Sequence, residues 1–218
     1  MVAGCGRGQP PARTQKPSPV PAPATLPRIV ILGDSLTAGL GLAPSDAYPA
    51  LVQQSLDDAG YRFEVINAGV SGDTSAGGLR REDWALDGDV RILVVELGGN
   101  DGLRGLPVAE LRANLARIIE RAQQSGIAVL LAGMEAPPNF GVDYTREFRA
   151  VYRDLAARYR APLVPFLLEG VAGNSRLNQA DGLHPNAEGA RIVAGTVWRS
   201  LQPLVQKIAQ SPKPKAKP

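Results

Sequence analysis

The chain has 218 residues, 44% of them hydrophobic and 21% charged, with a formal net charge of +3. That length and composition suit one globular domain with a sizeable core. No apolar run approaches the ~18 residues of a membrane helix. Much of the small positive charge comes from Lys213, Lys215 and Lys217, so it implies no nucleic-acid partner.

One cysteine and one histidine rule out an intramolecular disulfide and argue against a Cys/His zinc site, which needs several ligands of those types. Any step that requires an imidazole must use His184. Residues 1–27 carry Pro10, Pro11, Pro17, Pro19, Pro21, Pro23 and Pro27 among small polar residues, a composition that predicts an extended, solvated tether. Ahead of it, Val2-Ala3-Gly4-Cys5 resembles a bacterial lipobox, in which the cysteine is lipidated. Only Met1 stands where such a motif usually has an apolar stretch, so a shortened start and a chance likeness both stay open. The lipobox reading implies membrane attachment through Cys5 and a periplasmic or cell-envelope location.

Residues Ile29–Leu32 form an unbroken apolar run rich in β-branched residues, the pattern of a strand buried on both faces. Gly33 ends it, with a sharp turn expected there. Asp34-Ser35-Leu36-Thr37 follows at once, placing Ser35 where open α/β sheets hold their ligands. Ser45 or Asp46 can cap a helix running to about Ala59, with Gly60 as its stop. Arg62–Asn67 alternates as a second strand, and the glycine-rich Gly69–Gly78 reads as a loop. Weak helical periodicity follows over Leu79–Leu86. Val90–Leu97 is the third and most apolar strand, and Gly98–Gly105 is a loop. Pro107 opens a helix to about Gln124, with Leu111, Leu115, Ile118 and Ile119 on one face. Ile127–Ala132 is a fourth strand, Met134–Tyr144 a loop, Glu147–Tyr159 a helix and Pro162–Leu167 a short fifth strand. Asp181–Asn186 reads as a turn before a last helix, Ala187 to about Ile208. The basic tail at 210–218 is disordered by composition.

Strands alternating with helices predict an α/β fold: a three-layer, doubly wound, flavodoxin-like five-stranded parallel sheet. Right-handed crossovers then bring the loops after strands one, two, three and five to one rim. Those loops hold the parts that acyl transfer to a serine requires. Ser35 offers a hydroxyl, although a serine after a strand also serves as a helix cap. His184 offers a base. Asp181, three residues earlier in DGLHPN, can reach Nδ1 of His184 and leave Nε2 facing Ser35. The Ser35 amide, the Gly72 backbone and the Asn100 side-chain amide are candidate oxyanion donors. Met134, Pro137 and Phe140 are candidate walls of an acyl pocket, or else an ordinary proline-packed surface loop.

Four blocks carry a resemblance: GDSL at 33–36, SGDTS at 71–75, GGND at 98–101 and DGLHPN at 181–186. In order and position they resemble the SGNH (GDSL) hydrolases over about residues 28–205, and look closest to the periplasmic thioesterase I/protease I/lysophospholipase L1 and bacterial arylesterase branch. The resemblance implies Ser35, Asp181 and His184 as the triad, Ser35, Gly72 and Asn100 as the oxyanion hole, and no metal or cofactor. It also implies hydrolysis of aryl or acyl esters, acyl thioesters or lysophospholipids, small-molecule substrates. A monomer with its hydrolase domain at 28–209 is expected. Rival readings are a carbohydrate O-acetylesterase of the same fold and a non-catalytic lipid-anchored binding module. An aspartyl phosphatase is excluded, because no second aspartate stands two residues after Asp34.

Overall fold

The computed structural model describes residues 1, 2, 4 and 26–210. Cys5, most of the expected tether and the tail beyond Gln210 lie outside the described residues. In chain order the elements are β1 (Arg28–Gly33), α1 (Ser35–Ala38), α2 (Tyr48–Asp58), β2 (Glu64–Gly69), α3 (Ser75–Arg80), α4 (Glu82–Ala85) and β3 (Val90–Glu96). They continue with α5 (Gly99–Leu103), α6 (Val108–Gln124), β4 (Ala128–Ala132), α7 (Val142–Tyr159), β5 (Leu163–Val164) and α8 (Ala187–Ala209).

The five strands pair in parallel in the order β2-β1-β3-β4-β5. Chain direction across the sheet reverses between β1 and β3, and such a switch point opens a crevice at the carboxyl ends of the strands. The three central strands are buried on both faces and read as continuous apolar runs, as parallel strands covered by helices do. On one side α2 packs on α8; on the other α6 packs on α3 and α7. The buried stripe of α6 is Leu111, Leu115, Ile118, Ile119 and Ala122.

Several expected boundaries move, each for a local reason. Ser45 and Asp46 do not cap α2; they belong to a 3-10 turn at Pro44–Asp46, and Ala47 precedes the helix without a side-chain cap. The glycine-rich stretch expected as a loop supplies the last residue of β2 and then α3. Packing overrides helix propensity there. A Cβ on Gly78 would lie 2.2 Å from Leu97 Cδ1, so glycine lets α3 approach the core, while Thr74 Oγ1 accepts the Gly77 amide. The stretch expected as a loop after β3 contains α5, entered through Gly98 at φ +117°. At that residue a side chain would be strained and its Cβ would sit 2.1 Å from the Tyr152 hydroxyl. Helix α7 starts five residues ahead of Glu147. Strand β5 shrinks to two residues because Pro165 has no N–H to continue the ladder.

Candidate active site

The connections after the five strands bring Ser35, Gly72, Asn100, Met134 and His184 to the crevice, one from each strand end. Ser35 opens α1 directly after β1, and its predecessor Asp34 caps that helix by accepting the Leu36 amide at 3.0 Å. Ser35 is therefore not the capping residue, and its hydroxyl is left for other work. Gly33 is not needed for an unusual turn, since its φ is not positive. It is needed for space: a Cβ would lie 2.0 Å from Thr37 Oγ1 and 2.4 Å from Glu96 Oε2.

The Ser35 hydroxyl lies 2.9 Å from His184 Nε2, and His184 Nδ1 lies 2.6 Å from Asp181 Oδ2. Asp181 Oδ1 accepts the Leu183 and His184 amides at 2.9 and 3.0 Å, which folds the Asp181–His184 segment into a tight turn. Gly182, at φ +71°, makes that turn without strain. The His184 amide, its ring and the Leu183 amide hold the Asp181 carboxyl down at about 2. An ionised carboxylate only accepts, so Nδ1 carries the proton and Nε2 is the acceptor facing Ser35 Oγ–H.

Two backbone amides of residues that line the cavity, those of Ser35 and Gly72, make no hydrogen bond to the described residues. Gly72 adopts φ +83°. Asn100 Nδ2 donates to Asp34 Oδ2 at 3.0 Å and to the Asp73 carbonyl at 2.9 Å, which fixes the amide's orientation toward the same cavity. The cavity holds about 670 Å³ and is walled by apolar side chains including Leu40, Leu103, Met134, Phe166, Leu168 and Leu183. Met134 and Pro137 line it. Phe140 does not. The 3-10 turn at Pro138–Phe140 carries its ring toward α7, where it packs on Tyr144 at 5.4 Å between centroids and against Gly105.

Four polar residues matter here that spacing arguments passed over. Asp34 is 2% exposed, and burial pushes its carboxyl up to about 6 against the opposing pull of the Leu36 amide, Asn100 and His184. Glu96, beneath it, is fully buried; burial and then the charge of Asp34 push its carboxyl well above the usual range. Glu96 Oε2 accepts from Thr37 Oγ1 at 2.6 Å and from the Asp34 amide at 3.2 Å, while Oε1 has no partner among the described residues. A neutral acid suits that place, because a lone buried charge would be costly. Asp101 accepts both the amide and the hydroxyl of Ser75, tying α5 to α3. Asp73 pairs with Arg81 at 2.6 Å. The available signal was the aspartate inside each of the blocks GDSL, SGDTS and GGND. Among the described residues, no group of three or more His, Cys, Asp or Glu side chains is placed to hold a metal ion.

Comparison with known proteins agrees with this architecture. Residues 31–192 match the model of the GDSL-like lipase/acylhydrolase family. The esterase TesA of Pseudomonas aeruginosa is 46% identical over 178 residues, covering 81% of this chain and 89% of that protein. The thioesterase 1/protease 1/lysophospholipase L1 of Escherichia coli K12 is 38% identical over 178 residues, covering 81% and 84%. The crystal structure of AlinE4, an SGNH-hydrolase family esterase, superposes with a TM-score of 0.70 at 44% identity, covering 88% of this chain and all of that one. The chain belongs to the GDSL-like lipase/acylhydrolase family.

Proposed function

We infer that this protein hydrolyses carboxylic esters and acyl thioesters through an acyl-enzyme formed on Ser35. The observation that carries the reading is the continuous chain Ser35 Oγ–His184 Nε2 at 2.9 Å and His184 Nδ1–Asp181 Oδ2 at 2.6 Å, opening into an apolar cavity. In acylation, Ser35 Oγ bonds to the carbonyl carbon as His184 Nε2 takes its proton. Asp181 keeps the ring in the required tautomer and stabilises the imidazolium. The tetrahedral oxyanion lies against the free amides of Ser35 and Gly72. It also draws on Asn100 Nδ2, where it is a stronger acceptor than the Asp73 carbonyl. The proton then passes from Nε2 to the leaving alcohol or thiol as its bond to carbon breaks. Water, deprotonated by the same nitrogen, attacks the acyl-enzyme and releases the acid.

The relatives named above include an esterase and a thioesterase/lysophospholipase, which supports ester and thioester substrates here. A cavity of about 670 Å³ with mostly apolar walls suits an acyl or aryl group larger than acetyl. A panel of p-nitrophenyl esters and acyl thioesters of graded length tests this. Turnover that rises beyond acetate and disappears in Ser35→Ala is expected. Activity confined to acetyl esters would favour a carbohydrate O-acetylesterase instead, and full activity in Ser35→Ala would end the serine mechanism.

A further inference from the structure

We propose that Arg81 is the positioning residue of the oxyanion hole, fixing the distance between the Ser35 turn and the two donors at Gly72 and Asn100. The proposal rests on the serine mechanism above. Arg81 stands at the kink between α3 and α4 and does not line the cavity. Its guanidinium reaches back under the strand ends and satisfies three different chain segments at once. Nη2 donates to the Gly33 carbonyl at 2.7 Å, at the end of β1 and two residues before the nucleophile. Nη1 donates to the Ala68 carbonyl at 2.6 Å, near the end of β2. Nε donates to Asp73 Oδ2 at 2.6 Å, one residue beyond Gly72.

Asp73 is what makes this arrangement functional. Its side chain is held by Arg81 while its carbonyl accepts Asn100 Nδ2 at 2.9 Å. One rigid group thus connects the nucleophile turn and the loop bearing the Gly72 amide and, until the oxyanion takes the place of the Asp73 carbonyl, sets the Asn100 amide through that carbonyl. The Asp73 segment is pinned again at the neighbouring residue, where Arg104 Nη2 donates to the Gly72 carbonyl at 2.9 Å. The Arg81–Asp73 pair is largely shielded, with side chains 18% and 17% exposed, so its charge-assisted bond is little screened by solvent. A planar fork with several fixed donors can make this three-way connection; the single ammonium of lysine cannot. Oxyanion donors act only when they lie at hydrogen-bond distance from the developing charge, and a displacement of about 1 Å can cost on the order of 10²-fold in rate.

The test is a double-mutant cycle on kcat and KM in the full chain, with urea midpoints recorded for every variant. Arg81→Met removes the fork and keeps bulk; Arg81→Lys keeps charge and is the second variant should Arg81→Met fail to fold. Each is made alone and with Asn100→Ala. Alone, either substitution is expected to lower kcat about 10- to 100-fold with KM little changed. In the Asn100→Ala background the same substitution is expected to cost several-fold less, because one of the two donors it positions is already gone. Arg81→Ala is expected to regain kcat when ethylguanidinium is added at millimolar concentration. The same factor in both backgrounds would mean that Arg81 merely supports the fold and would overturn the proposal, as would unchanged kcat in a folded variant. If Ser35→Ala still abolishes turnover in either case, the serine mechanism stands and only the role of Arg81 is rejected.

Discussion

Asp34→Asn separates the cost of a buried carboxylate from its use. The Asp34 carboxyl is raised from 3.8 to about 6, mainly by burial. At about 1.4 kcal/mol per pH unit, that shift is worth about 3 kcal/mol. The folded protein binds this proton more tightly than the unfolded chain does. The associated stability is therefore fully present below about pH 3.8 and is lost as pH rises through about 6. The Asn variant has no such titration, and carboxylates remote from position 34 cancel when the two proteins are compared; Glu96, which the Asp34 charge pushes up, titrates lower in the variant and belongs to the same difference. Urea unfolding at a series of pH values should show wild type losing about 3 kcal/mol relative to Asp34→Asn between about pH 4 and pH 7. Activity should move the other way. Asp34 Oδ2 accepts Asn100 Nδ2 and Oδ1 accepts the Leu36 amide, so an amide at 34 must oppose a donor with a donor on one side. Losing a charged acceptor costs about 1.5–3 kcal/mol, which corresponds to roughly a 10- to 100-fold fall in kcat at about pH 8. A stability difference independent of pH together with unchanged kcat would refute the reasoning.

Two further predictions rest on named contacts and a third on where β1 begins. Asp181→Asn should lower kcat by at least about 10²-fold with little change in KM. Because the Asp181 carboxyl is held down at about 2, that of wild type stays ionised until pH falls toward that value, so its titration should add no acid limb above about pH 4 to the turnover profile. Gly69→Ala places a Cβ 2.2 Å from the Ala38 amide nitrogen and 2.7 Å from the Thr37 carbonyl carbon, backbone atoms that cannot swing aside. A loss of about 1–3 kcal/mol or more in urea unfolding is expected, and an unchanged midpoint would contradict it. Deleting residues 1–24 should leave kcat/KM within about twofold, since β1 begins at Arg28; a large loss, read with the same ester assay, would place that segment against the domain.

The central strands were legible because burial on both faces leaves a simple trace, an unbroken apolar run such as Ile29–Leu32 or Ile92–Val95. The hydrogen-bonded arrangement of Ser35, His184 and Asp181 was legible because a single histidine leaves one choice of base and DGLHPN puts a carboxylate within one turn of it. What spacing did not convey was helix in glycine-rich sequence. Segments α3 and α5 exist because Gly78 and Gly98 admit Leu97 and Tyr152 at distances no side chain allows, a property of packing absent from local propensity. Phe140 was misplaced for a similar reason: a loop's apolar residue faces whichever surface the turn selects, and this one selects α7. The support of the site was also hidden. Nothing about the adjacent pair Arg80-Arg81 says which arginine turns inward, and Glu96 within VVEL reads as the end of a strand until the fold places it under Asp34.

The most direct measurement of the account is peptide mapping after reaction with a fluorophosphonate, with residual ester turnover followed in parallel. The account predicts a single adduct on Ser35, formed in proportion to the loss of activity and much slowed in His184→Ala. An adduct on another residue, or full turnover by protein quantitatively labelled at Ser35, would contradict it.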